Sequence, residues 1–213
     1  MSERSTAAEE KRRVILDAAA RVFARKGFHT SRVGDIAEEA GVAHGLLYHY
    51  FSSKDEVLET IFHEHWTALL ERVHAVEPSG EPVEEQLRGI ARAMFWGWLH
   101  EPDVVRVVIR EIARSAEVQE RVGELVKPVG ALRRIVERGQ AEGEFRSDID
   151  AETAAVIFHG AIDEVITGLV LGRISGDEAD VVAAEHQIVE LVASGLSVAA
   201  EQRREARHAD VSA

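Results

Sequence analysis

The sequence predicts an all-α protein, with a small N-terminal head of three helices and a larger helical body, about nine helices in total. Two observations carry this. Apolar residues recur at helical spacing almost throughout the 213 residues, with very little strand alternation. Glycines and N-cap residues fall at the ends of the periodic stretches, where helices stop and start.

In KRRVILDAAARVFARKG, Ile15, Ala18, Ala19, Val22 and Phe23 follow the i, i+3, i+4, i+7, i+8 rule, and Gly27 supplies the stop. A second, shorter helix runs over SRVGDIAEEA. Ser31 is its expected N-cap, Val33, Ile36, Ala37 and Ala40 face inward, and Gly41 ends it. A third follows at once as VAHGLLYHYF, with Leu47 and Phe51 packing inward. Two short helices joined by a glycine turn describe a helix-turn-helix, whose second helix is free to lie in a major groove. Ser53 and Glu56 have capping-box spacing and start a fourth helix, which continues through FHEHWTALLERVHAV.

Pro78-Ser79-Gly80 breaks the pattern, and Pro82 opens EEQLRGIARAMFWGWLH. Further helices are expected from Asp103 to about Ser115, from Val118 to Glu142, from Asp150 to Leu171, and from Asp177 to at least Ser197. Pro128 removes an amide donor, so the second of these either kinks there or is two helices. Disorder is expected only over Met1–Glu9 and after Gln202.

Composition bounds the function. There is no cysteine, hence no disulfide framework and no thiolate nucleophile, which fits a reducing cytoplasm. No charge-free stretch of about 18 apolar residues occurs, which argues against a signal peptide or membrane span. A nucleophile elbow and a Gly-rich phosphate loop are also missing, so catalysis is not expected. The net charge of −13 looks wrong for a nucleic-acid binder, but its distribution matters more. Residues 1–58 carry nine Lys and Arg against nine Asp and Glu, and the rest carries 16 against 29. Repulsion of an acidic body by DNA would orient a charge-balanced head toward the duplex. On the outer face of the third helix, His44 with Tyr48 and Gly45 with His49 are i, i+4 pairs, a polar and aromatic surface suited to close approach.

The segment ILDAAARVFARKGFHTSRVGDIAEEAGVAHGLLYHYFSSKDEVL, Ile15 to Leu58, resembles the DNA-binding region of the TetR family in order, spacing and residue type. The resemblance implies a DNA-binding domain over 1–58 and a ligand-binding and dimerisation domain over 59–213. It places His44 and Gly45 at base edges, with Leu46 near a thymine methyl. Tyr48 and His49 match phosphate-contacting positions, while Ser31, Arg32 and Lys54 sit at helix starts beside the DNA backbone. Ala43 stands where Ser or Thr often caps the recognition helix, and Gly34 where a longer polar side chain is frequent. Either affinity is lower for it, or Arg32 and the tract Lys11–Arg13 compensate.

For the body, the resemblance implies a homodimer, so that two heads about one DNA turn apart read a palindrome. Ala155, Phe158, Ile162, Ile166, Val189 and Val192, on broad apolar faces of the last two helices, are the candidate interface, the alternative being a monomer core. Phe62, Trp66, Met94, Phe95, Trp98 and Phe158 form an apolar inventory that is either core or the wall of a ligand cavity. The stretches VVIREIARSAEVQERV, RGQAEGEFRSDIDAETAA and FHGAIDEVITGLVL are similar to sensor domains of fatty-acid-metabolism regulators in the family. Those release operator DNA on binding long-chain acyl-coenzyme A. Arg106, Arg110 and Arg114 form a row that either meets such an anion or pairs on the helix surface. His159 with Asp163, and the His63-Glu64-His65 cluster, are the nearest approach to a metal motif. Neither metal nor cofactor is expected, because i and i+2 diverge on a helix.

Overall fold

The computed structural model describes residues 3–77, 80–112 and 127–198. Among them are nine helices: α1 (Glu3–Lys26), α2 (Val33–Ala40), α3 (His44–Tyr50), α4 (Lys54–Val76), α5 (Val83–His100), α6 (Pro102–Ile112), α7 (Lys127–Ala141), α8 (Ala151–Val170) and α9 (Glu178–Leu196). An isolated antiparallel bridge between Phe145 and Ser197 is the extended pairing among the described residues. The described residues gather into two compact units, one from 3–68 and 100–112, the other from 69–77, 80–99 and 127–198.

The core of the first unit is built from the predicted faces: Ile15, Ala19, Val22, Phe23, Ile36, Leu47 and Phe51 are all buried in one cluster. Each fully buried large side chain contributes about 1.5–3 kcal/mol. Gly27 leaves α1 at φ 83°, with its N–H donating to Phe23 O at 2.8 Å. Gly41 caps α2 at φ 65°, the left-handed turn that swings α3 across α2. The helix from Glu3 replaces the disorder expected over Met1–Glu9 from Glu3 onward, and the tail beyond Val198 lies outside the described residues.

Ser31 is not the N-cap of α2. That position belongs to Arg32, in extended conformation, and the Ser31 hydroxyl donates inward to Phe28 O at 2.7 Å. A guanidinium cannot accept a hydrogen bond. Asp35, three residues on, supplies the acceptor and takes the Arg32 amide at 2.8 Å. At α4 the expected cap forms, with Ser53 Oγ accepting from Glu56 N at 3.1 Å. The reciprocal half is shifted by one residue, because the Glu56 carboxylate accepts from Ser52 N and Ser52 Oγ, each at 2.6 Å.

α6 belongs to this first unit. Val107 is part of its core and Val104 packs on it. Arg110 Nη1 donates to Ala24 O at 2.9 Å, satisfying a carbonyl in the last turn of α1 that no backbone N–H reaches.

In the second unit, Leu87, Ile90, Phe95, Leu132, Ile135, Phe158 and Ile162 are almost wholly buried, and α8 packs against both α7 and α9. Asp150 caps α8, accepting from Thr153 N at 2.8 Å, and Asp177 precedes α9, so both starts fall as predicted. Pro128 stands in the first turn of α7, where its missing N–H has no intrahelical partner to lose. The expected segment Val118–Val126 lies outside the described residues. α8 is long and apolar enough to cross a membrane by composition, yet it is the helix most engaged with its neighbours in this unit.

Candidate nucleic-acid interface

The start of α2, the first turns of α3 and the start of α4 enclose a groove of about 500 Å³, lined by Ser31, Arg32, Val33, Gly34, His44, Tyr48 and Lys54. Lys54 is held there without a carboxylate among the described residues. Its Nζ donates to Phe28 O at 2.7 Å and Ser31 O at 3.0 Å, and lies 4.3 Å from the centre of the Phe28 ring. Neutral carbonyls fix the ammonium in place and leave its charge uncancelled.

Four other cations of the head are spent on pairs. Arg21 and Arg25 share Glu39 at 2.9 and 2.8 Å, Lys26 takes Asp35 at 2.8 Å, and Arg12 takes Glu64 at 2.6 Å. Hydrogen bonds from Arg25 and then Arg21 hold the Glu39 carboxyl below its ordinary range. The Lys26 ammonium, then the Arg32 amide, does the same for Asp35. Lys54 and the exposed Arg32 therefore concentrate positive potential at the groove.

The expected reading face surrounds it. The rings of His44 and Tyr48 stand 5.3 Å apart, and Tyr48 is 51% exposed. Exposure this large rules out Tyr48 as a plain core tyrosine. A Cβ on Gly34 would come 3.9 Å from the His44 ring, so the missing side chain opens one edge of that imidazole. Gly45 is exposed with nothing near its missing Cβ, His49 is exposed against Tyr50, and Leu46 is half-buried. Ala43 is the N-cap of α3 and makes no side-chain cap bond. Ser31, 3% exposed with its hydroxyl turned inward, is placed for holding the loop. Phe28, which steadies Lys54, was missed at the sequence level, since nothing in a loop pattern tells which side chain lies beneath an ammonium.

The sensor candidates divide between the units. In the first, Phe62 packs on the head core, and Arg106 pairs with Asp103 at 2.8 Å. Arg110 is drawn to Ala24 O, so these two arginines pair within the unit rather than lining up as a free row, and Arg114 lies outside the described residues. Trp66 is half-buried on α4, and its indole Nε1 is shut off from solvent with no hydrogen-bond partner. An orphaned buried donor costs about 1–3 kcal/mol. In the second unit, Phe95, Trp98 and Phe158 are core residues, 1, 6 and 1% exposed, and Met94 is half-buried.

Most of the residues expected at a dimer interface lie inside the subunit. Ala155, Phe158, Ile162, Ile166 and Val189 are buried within their own subunit, and Val192 is half-buried. The exposed apolar side chains on these helices are Val156 and Ile157 on α8 and Leu191 on α9, 53, 58 and 74% exposed. Gly160 adds an open notch between the α8 pair and Glu164. On the flank of α8, burial lowers the pKa of His159 below 6.5 against the opposing pull of Asp163. Among the described residues no three His, Cys, Asp or Glu side chains gather as a metal set.

Comparison with known proteins agrees with this architecture. Residues 15–61 match the family described as bacterial regulatory proteins, tetR family, and residues 82–194 match a tetracyclin repressor-like C-terminal domain. The chain is similar to the fatty acid metabolism regulator protein of Bacillus subtilis, 30% identical over 85% of this chain and 93% of that one. It is similar in structure to the fatty acid degradation regulator FadR from Bacillus halodurans, with TM-score 0.73 and 28% identity over 87% of this chain and 96% of that one. FadR from Bacillus subtilis in complex with stearoyl-CoA aligns with TM-score 0.69 and 28% identity, over 86% and 98% of the two chains. The chain belongs to the TetR family, and it is a ligand-responsive, DNA-binding transcription regulator rather than an enzyme.

Proposed function

We propose that this protein is a homodimeric repressor that leaves a palindromic operator when it binds a long-chain acyl-coenzyme A. The observation carrying the DNA half is the uncancelled Lys54 ammonium beside Arg32, His44 and Tyr48 in one groove. A phosphate in that groove meets two cations, and α3 then lies against the bases with His44, Gly45 and Leu46 foremost. Tyr48 and His49 add backbone contacts.

Residues 1–58 read DNA in this scheme, and 59–213 bind the effector and dimerise. The exposed Val156, Ile157 and Leu191 bury against a second copy across a two-fold axis. The likeness to FadR proteins, one solved with stearoyl-CoA, supports the choice of effector. A ligand that switches occupancy from nearly full to nearly empty must prefer the non-binding state by about 5.5 kcal/mol. The site of action is the cytoplasm, where operator DNA lies.

The test is a mobility-shift assay on the DNA flanking the gene, titrated with stearoyl-CoA and, as control, free coenzyme A. Release by the acyl thioester alone is the expected result. Retention of the complex at saturating stearoyl-CoA overturns the effector assignment, and absence of any sequence-specific shift overturns the operator reading.

A further inference from the structure

The Trp66 indole is the anomaly in polar satisfaction among the described residues. Its Nε1 is buried, donates to nothing, and no other buried side-chain nitrogen or oxygen shares that state. An indole N–H is a donor only, so no rotation about its own bonds turns it into an acceptor and relieves the loss. The other two tryptophans are engaged: the guanidinium of Arg72 lies 3.5 Å from the centre of the Trp96 ring, and Trp98 also has a partner. A phenylalanine at position 66 would keep most of the apolar surface without the desolvated donor. The side chain therefore carries a polar group without a partner among the described residues.

We propose that Trp66 is an effector-binding residue whose N–H donates to a carbonyl oxygen of the ligand. This rests on the acyl-coenzyme A reading above, and within it the acceptor is the thioester carbonyl. A neutral carbonyl fits better than a carboxylate or phosphate, because a buried anion requires a countercharge that an uncharged indole does not supply. Binding then completes a hydrogen bond that is unmade in the free protein. The ligand-free state thus carries a penalty that the bound state lacks, and Trp66 selects carbonyl compounds over hydrocarbons of the same length.

The full-length protein and its Trp66→Phe variant are titrated calorimetrically with stearoyl-CoA and with S-octadecyl-coenzyme A, the thioether that lacks the carbonyl oxygen. Thermal midpoints are taken without ligand. The expected result is a loss of about tenfold in affinity for the thioester in the variant, equivalent to about 1.4 kcal/mol. Thioether affinity should be equal in both proteins, and the ligand-free variant should melt at or above the wild-type temperature. Equal losses for both ligands, or no loss for either, overturn the hydrogen bond while leaving the effector reading intact. A ligand-free variant that melts several degrees lower overturns it too, since Trp66 is then a packing residue. If neither ligand binds the wild type, the effector reading fails and takes this assignment with it.

Discussion

Replacing Lys54 with methionine keeps the length of the stem and removes the ammonium. Two charge-assisted bonds go with it, to Phe28 O at 2.7 Å and Ser31 O at 3.0 Å, along with a cation 4.3 Å from the Phe28 ring. Each bond to a charged group is worth about 1.5–3 kcal/mol net, and a cation over an aromatic face about 0.5–1 kcal/mol. The ammonium is only part-buried and the two carbonyls regain water in the variant, so the net loss is about 2 kcal/mol. For a chain of this size that lowers the thermal midpoint by roughly 4–8 °C. The second consequence is electrostatic. If each head loses one phosphate contact, a dimer loses two, and the slope of log affinity against log salt falls by about 1.8. Between 50 and 200 mM salt the gap between wild type and variant then narrows by about 12-fold. Circular-dichroism melts and operator titrations at several salt concentrations read the two effects separately. An unchanged midpoint refutes the staple, and parallel salt plots refute the phosphate contact.

Leu191→Asp, at a position 74% exposed, is expected to leave the subunit folded and convert the dimer to monomers in sedimentation velocity. Val189→Asp, in the core two residues away, unfolds it instead; a dimeric Leu191→Asp protein argues against the face assigned here. Gly139→Ala puts a Cβ 2.6 Å from the Phe145 ring, an overpacking expected to cost about 1–3 kcal/mol in urea denaturation. Burial depresses the pKa of His159 in the folded state. The unfolded chain therefore binds the extra proton first, so this residue's contribution is whole above pH 6.5 and declines as pH falls below it. His159→Gln should flatten the stability profile just below pH 6.5, before the carboxylates titrate, and a curve that superimposes on the wild type removes the residue from the explanation.

The helices were readable because their ends are written in local chemistry. Asp150 and Asp177 precede α8 and α9, and Gly27 and Gly41 sit where only a left-handed residue turns the chain sharply. Faces were readable where one side of a helix is polar, as in α1. They were not readable in α8, where Ala155, Val156, Ile157 and Phe158 are consecutive and apolar all round. The outward side carries Glu152, Asp163 and Glu164 together with Val156 and Ile157, so apolar residues set among the carboxylates blur the polar face that would fix its rotation. The reading face of α3 could be laid out from i, i+4 spacing, but the anchoring of Lys54 depends on carbonyls of a loop whose path no periodicity encodes. The Ser31 misreading has a similar cause: serine is a good cap former, and Asp35 took the role from inside the helix.

The place of Val107 in the core around Ile15, Phe23 and Leu47 has a practical corollary for chimeric regulators. A head excised at residue 58 leaves that core without one of its walls and leaves the Ala24 carbonyl without Arg110. Transplanting this operator specificity onto another sensor therefore means moving Pro102–Ile112 with the first 58 residues, as one discontinuous cassette. A graft limited to the contiguous segment would carry every base-reading side chain into a partner whose own α6 was shaped for a different floor.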